Sequence, residues 1–167
     1  MDDFGDFYAA RKDLVFRVLL AAGGDRLLAE DAAAEAFARA YARWSKLRDH
    51  PDPTAWVIRT GLNAQRTWWR RLRREVLGPP PHRSLPPAEP GGISAEVRAA
   101  VAALPRRQRE VVALRLVADY SGEQVARLLG ISTSAVGAHL HRALARLRAT
   151  LRSLEPQREP ADLKETL

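Results

Sequence analysis

At 167 residues the chain is long enough for one domain or two small ones, and its hydrophobic share of 46% argues that it folds. It has no cysteine, which excludes disulfides and thiolate metal sites. The formal net charge of +7 is unevenly spread: residues 1–52 carry −2, residues 53–152 carry +11 and residues 153–167 carry −2, so the middle of the chain points to a polyanionic partner. Ala, Leu and Arg dominate, a helical palette, and β-branched runs bounded by turns are missing; the expected fold is all-α. No N-terminal apolar run resembles a signal peptide, and no stretch approaches the ~20 apolar residues of a membrane span. The expectation is a soluble, cytoplasmic protein with no membrane insertion.

In chain order, Phe4, Phe7, Tyr8, Leu14, Val15, Val18 and Leu19 place apolar groups on one helical face, and Gly23-Gly24 ends that helix. Asp25 caps the next, where Leu28, Ala32, Ala33, Ala36, Phe37, Ala40, Tyr41 and Trp44 form a broad stripe opposite Glu30, Asp31, Glu35 and Arg39. Residues 49–53 read as a turn, with Asp52 as cap and Pro53 at the first position of a third helix. That helix contains Trp56, expected in the core, and Arg59, Asn63 and Arg66. It then runs into an Arg-rich stretch, Arg66 to Arg74, in which five of nine residues are Arg, interleaved with Trp68 and Trp69. Guanidinium groups bind phosphates through paired hydrogen bonds and indole faces stack on unpaired bases, so this surface suits melted or single-stranded nucleic acid.

Residues 77–93 are Pro- and Gly-rich and read as a linker, able to span up to ~50 Å if extended at ~3.1 Å per residue. A second block follows over residues 94–152. It begins near Ser94, with a short helix over Ala95–Ala103 and another opened by Pro105, with Val111, Val112 and Leu116 inward. Residues 121–151 then read as two helices about a tight turn. Ser121 and Gln124 have capping-box spacing, Gly130 ends the first helix and Ser132 caps the second. Val136, Leu140, Leu144, Leu147 and Leu151 form the inward stripe of a helix-turn-helix, flanked by Arg142, Arg146, Arg148 and Arg152. The tail over residues 153–167 is expected to be mobile.

No catalytic or cofactor motif is present. His139 and His141, two apart on a helix, diverge and cannot chelate one metal, and Glu30, Asp31 and Glu35 lack a matching ligand set. No enzyme activity, cofactor or metal site is expected.

The order of an acidic helical block, an Arg/Trp helix, a proline linker and a basic helix-turn-helix resembles the extracytoplasmic-function sigma factors of bacterial RNA polymerase, in the sigma-70 family. Three segments carry the resemblance: AEDAAAEAFARAYARW (residues 29–44), PTAWVIRTGLNAQRTWWRRLRR (residues 53–74) and LPRRQREVVALRLVADYSGEQVARLLGISTSAVGAHLHRALARLR (residues 104–148). The pattern from Asn63 to Trp68-Trp69-Arg70-Arg71 is most like actinobacterial members. The resemblance implies a region 2-like domain of three or four helices over residues 1–76 and a region 4-like helix-turn-helix domain over residues 94–152. Core RNA polymerase and promoter DNA are then the partners, with an anti-sigma factor as a further candidate. Asp31, Glu35, Phe37 and Arg39 would dock on polymerase. Arg59, Asn63, Arg66, Trp69, Arg70 and Arg71 would contact the −10 element, with an extruded base held at residues 46–52. Arg115, Thr133, Ser134, Gly137, Ala138, His141 and Arg142 would contact the −35 element. Gly137, Ala138 and His139 stand where the family often has Lys-Ser-Arg, which implies a weak or atypical −35 contact. The alternatives are a LuxR-type helix-turn-helix regulator without a polymerase-subunit role, and a helical adaptor whose basic face binds acidic protein.

Overall fold

The computed structural model describes residues 3–75 and 94–154; the stretch expected to be a linker and the tail beyond residue 154 lie outside them. Among the described residues the chain is helical with no strand. The elements are α1 (Asp3–Gly23), α2 (Arg26–Ala42), α3 (Trp44–Leu47), α4 (Pro53–Glu75), α5 (Ala95–Ala102), α6 (Arg106–Val112), a π-helical turn (Ala113–Val117), α7 (Gly122–Leu129) and α8 (Thr133–Leu154).

The local signals set most of the boundaries. The Asp25 carboxylate accepts from Leu28 N at 3.0 Å and starts α2, and Asp52 accepts from Ala55 N at 2.8 Å and starts α4. Ser94 caps α5, and Ser121 and Gln124 form both halves of a capping box on α7. Gly130 takes the left-handed conformation (φ 66°) that closes α7 at little steric cost.

Helices α1, α2 and α4 pack as a three-helix bundle around Val15, Val18, Leu19, Ala36, Val57 and Ile58, all fully buried. Burial of each large aliphatic side chain contributes about 1.5–3 kcal/mol. The helices approach closely at Gly61, where a Cβ would come within 2.6 Å of Leu19 Cδ1. Nearby, the buried Gln65 amide donates to the Leu19 carbonyl at 2.9 Å. Helices α5 to α8 form the second block, with Val136 and Ala143 of α8 turned inward against α5, α6 and α7.

Three expectations about single residues change. Leu116 is 61% exposed: the π-helical turn carries an Ala118 N to Ala113 O hydrogen bond of 3.1 Å, and the extra residue rotates Leu116 away from the face that holds Val111 and Val112. Tyr41 is 62% exposed, because α2 ends at Ala42 and α3 restarts at Trp44, leaving the Tyr41 ring edge-on to Phe4 at 5.1 Å. Trp56 is only half-buried, packed on the core by one side and facing a hollow with the other.

The two blocks are in contact. Helix α1 packs on α5, α6 and the π-helical turn, and α4 packs on α7. One apolar cluster runs through both, joining Val15 and Ile58 to Val111, Leu114, Val125 and Val136.

Candidate nucleic-acid interface

Helix α4 starts on a cap with a proline at its first position, and no further proline interrupts it as far as Glu75. Arg59, Asn63, Arg66 and Arg70 recur at three- and four-residue spacing and so share one face. Arg59, Asn63, Arg70 and Arg71 are exposed. Arg66 is not free: its guanidinium donates to both Glu110 oxygens at 3.2 Å, so this candidate phosphate contact is committed to a carboxylate of the second block. Adjacent indoles diverge as helical geometry demands, with Trp68 at 40% exposure and Trp69 half-buried.

Between α2 and α4 lies a hollow of about 300 Å³ lined by Arg39, Ala42, Arg43, Trp56, Thr60 and Asn63. A second, of about 150 Å³, continues along the same groove past Arg39 and Asn63 to Thr67, Trp68 and Arg71. The Thr60 and Thr67 hydroxyls donate to the carbonyls of Trp56 and Asn63, at 2.8 and 3.1 Å, so each hydroxyl proton is already committed to the α4 backbone. Each hollow combines an indole with guanidinium groups, and both share the Asn63 amide. Those groups can stack on a base, read its edge and hold its phosphate. The groove is separate from the turn at residues 46–52. Sequence periodicity does not show it, because it is formed by two helices that meet only in the fold.

The acidic helix α2 presents Asp31 and Glu35, with Glu35 bonded to Arg39 one turn on. Phe37 does not join that surface. It is 5% exposed and its ring meets Tyr8 edge-on at 4.9 Å, so it supports α2 from beneath and offers nothing to a partner.

On α8, Ser132 Oγ accepts from Ala135 N at 3.1 Å and lies 3.0 Å from Ser134 Oγ, which fixes the helix start. Thr133, Ser134, Gly137, His141 and Arg142 are exposed and Ala138 is half-buried. A Cβ on Gly137 would meet nothing within 4 Å, so packing does not require glycine there. His139 turns away from His141, with its Nδ1 buried and without a partner. Arg115 is drawn inward: its Nη1 donates to the Tyr120 carbonyl at 2.5 Å and its Nε is buried, which removes it from the outward face of the helix-turn-helix. No cluster of three metal-ligating side chains occurs among the described residues.

Residues 7–75 match the family model for Sigma-70 region 2, and residues 94–147 match that for Sigma-70, region 4. The RNA polymerase sigma-E factor of Streptomyces antibioticus is 34% identical over 155 residues, covering 89% of this chain and 84% of that one. The chain belongs to the sigma-70 family, in its extracytoplasmic-function group. The sigma-E factor of Streptomyces coelicolor is also similar, at 32% identity over 89% of this chain and 86% of that one. Among solved structures, CnrH in complex with the cytosolic domain of CnrY has a TM-score of 0.63 at 27% identity, covering 90% of this chain and 88% of that one. RpoE from Bartonella quintana, solved with the anti-sigma factor NepR, has a TM-score of 0.80 at 20% identity, covering 91% and 98%, and shows the fold.

This sigma factor binds core RNA polymerase and directs promoter-specific transcription initiation. The region 2 match over the first block leaves the LuxR-type and adaptor alternatives without support. No helix among the described residues is long and apolar enough to cross a membrane.

Proposed function

We propose a division of labour between the two blocks. The α2–α4 groove takes unstacked bases of the −10 element, with Trp56 and Trp68 as stacking surfaces and Asn63 as the edge-reading group. Arg59, Arg70 and Arg71 hold the backbone beside it, and Trp69 extends this surface from its half-buried position. The observation that carries this reading is the groove itself: indole, amide and guanidinium groups converge on a hollow of about 300 Å³ beside an arginine-lined helix. Extruding a base costs a few kcal/mol, which a shaped pocket can offset.

Helix α8 reads duplex through Thr133, Ser134, Gly137, Ala138 and His141, with Arg142 on phosphate. Gly137 and Ala138 supply close approach but no donors, and His139 faces inward, so the −35 contact is weak or read at atypical bases. Asp31, Glu35 and Arg39 form the polymerase-docking surface of α2. The protein acts in the cytoplasm as a non-catalytic subunit, without a cofactor, and an anti-sigma factor is a further partner, as in the solved complexes of its relatives.

The test is reconstitution. The full chain mixed with bacterial core polymerase is expected to co-elute in equal proportion and to yield discrete transcripts from a pool of genomic fragments. Core enzyme that elutes without the chain and gives the same transcripts in its absence would refute the reading.

A further inference from the structure

Helix α8 runs from Thr133 to Leu154 and contains no acidic residue. Its arginines, Arg142, Arg146, Arg148 and Arg152, are all exposed, and no ion pair among the described residues reaches any of them. Arginines elsewhere are placed differently: Arg26 is paired with Glu30, Arg39 with Glu35, and Arg66, Arg106 and Arg107 with Glu110. A helix face that meets only water usually mixes signs, and this one does not. Helical geometry sorts the four into two rows. Arg142 and Arg146 lie on one edge of the outer face, Arg148 and Arg152 on the other, and the exposed Ala145 and Ala149 lie between them. The second row continues that of Ser134 and His141, two turns of helix nearer the start. The rows extend about 15 Å from Arg142 to Arg152, at 1.5 Å per residue.

Two rows of cations on an alanine floor fit a duplex better than a protein. A helix about 10–12 Å across, set in a major groove about 12 Å wide, has a phosphate strand along each side. A protein interface has an apolar core depleted of charge. Here the large apolar side chains of this half, Leu144, Leu147 and Leu151, are half-buried on the opposite face, and only the two alanines separate the charged rows.

We propose that the distal half of α8 is a second duplex-binding element, in which Arg146, Arg148 and Arg152 take backbone phosphates flanking the −35 bases. This rests on the assignment of α8 to duplex DNA. Gly137 and Ala138 offer no side-chain donor to a base edge, so the helix reads sequence weakly. The distal arginines restore affinity through phosphates, which are the same at every sequence. Each phosphate they neutralise releases counterions, so the grip is salt-sensitive. The −35 region is then held as duplex more than read as sequence, and promoter choice falls mainly to the α4 side.

The test is a set of holoenzyme–promoter titrations with the full chain. Arg148→Ala and Arg152→Ala are each expected to lower the slope of log affinity against log salt by about one, and the double variant by about two, while Arg148→Lys keeps the wild-type slope. Scrambling the −35 bases is expected to cost the wild type less affinity than the double variant loses on the intact promoter. Neutral methylphosphonates are then scanned along both strands around the −35 element. At one or more flanking positions they are expected to weaken the wild type and leave Arg148→Ala unaffected. Unchanged slopes in Arg148→Ala and Arg152→Ala, beside a reduced slope in Arg142→Ala, overturn the proposal and leave α8 as a duplex helix. An unchanged slope in all three points to failure of the α8 assignment itself. A larger cost from scrambling overturns the sequence-tolerant grip, and a methylphosphonate scan identical in the wild type and Arg148→Ala overturns the phosphate contact. Loss of co-elution with core polymerase in Arg148→Ala, at wild-type helicity, overturns the proposal in favour of an acidic protein surface.

Discussion

Helices α4 and α8, the two proposed nucleic-acid helices of this molecule, are built in opposite ways. Helix α4 is woven into the core: Gly61 lets it lie against Leu19, Gln65 bonds across to α1, and Arg66 is bound to Glu110. Helix α8 buries Val136 and Ala143 and leaves its outer face nearly bare, with a glycine that nothing in the fold requires. A helix that must hold strained, unstacked bases benefits from rigid support, because loosely held groups lose the geometry that stacking needs. A helix that reads an intact duplex needs only a correctly presented surface. Substitutions on α4 should therefore disturb fold and function together, and those on the outer face of α8 should separate them.

The largest effect is expected at the α1–α4 contact. Leu19→Ala, at a fully buried site, should lower stability by about 2–5 kcal/mol in chemical denaturation. Gly61→Ala should cost about 1–3 kcal/mol, since its Cβ would overlap a leucine side chain. An unchanged midpoint for either would show that α4 is not held as described. Next, Gly137→Ala should raise stability by up to about 1 kcal/mol, because the position is open and helical. Gly137→Arg should instead strengthen duplex binding by holoenzyme; unchanged binding would place residue 137 outside the duplex contact.

Smaller effects sharpen the contrast further. Arg70→Ala should reduce the slope of log affinity against log salt by about one in holoenzyme–promoter titrations. An unaltered slope removes Arg70 from the phosphate contacts. Burial, and after it the Asp52 carboxylate, pushes the Tyr120 phenol well above its ordinary value of 10.0. The folded chain keeps that proton while the unfolded chain releases it near pH 10, so the Tyr120 contribution is full below pH 10 and declines above it. Wild-type stability should fall more steeply above pH 10 than that of Tyr120→Phe; equal slopes would show that the phenol is not buried as described.

Local structure was legible in the sequence where a few adjacent residues decide it. Asp25, Asp52, the Ser121–Gln124 box and Gly130 all act within one helical turn, and each cap is present. The separation of His139 from His141 was equally local. What escaped notice depends on residues distant in sequence. Glu110 reads as one acid in a basic block, and its bond to Arg66 leaves no periodic trace. Arg109 is 5% exposed, and nothing in its local sequence pattern marks an arginine for burial. Phe37 and Arg115 carry the right residue types for partner contacts, but packing turns both inward. The groove beside Trp56 and Asn63 needed α2 and α4 placed side by side before it existed at all.

The proposed division between an α4 that grips unpaired DNA and an α8 that reads paired DNA can be mapped directly. An open promoter complex assembled from core polymerase and this chain, with 5-bromouracil in the non-template strand of the −10 element, is irradiated and the adducts are located by mass spectrometry. Adducts on Trp56 or Trp68 in the α2–α4 groove are the expected result. Adducts confined to α8 or to the turn at residues 46–52, with none in the groove, would contradict it.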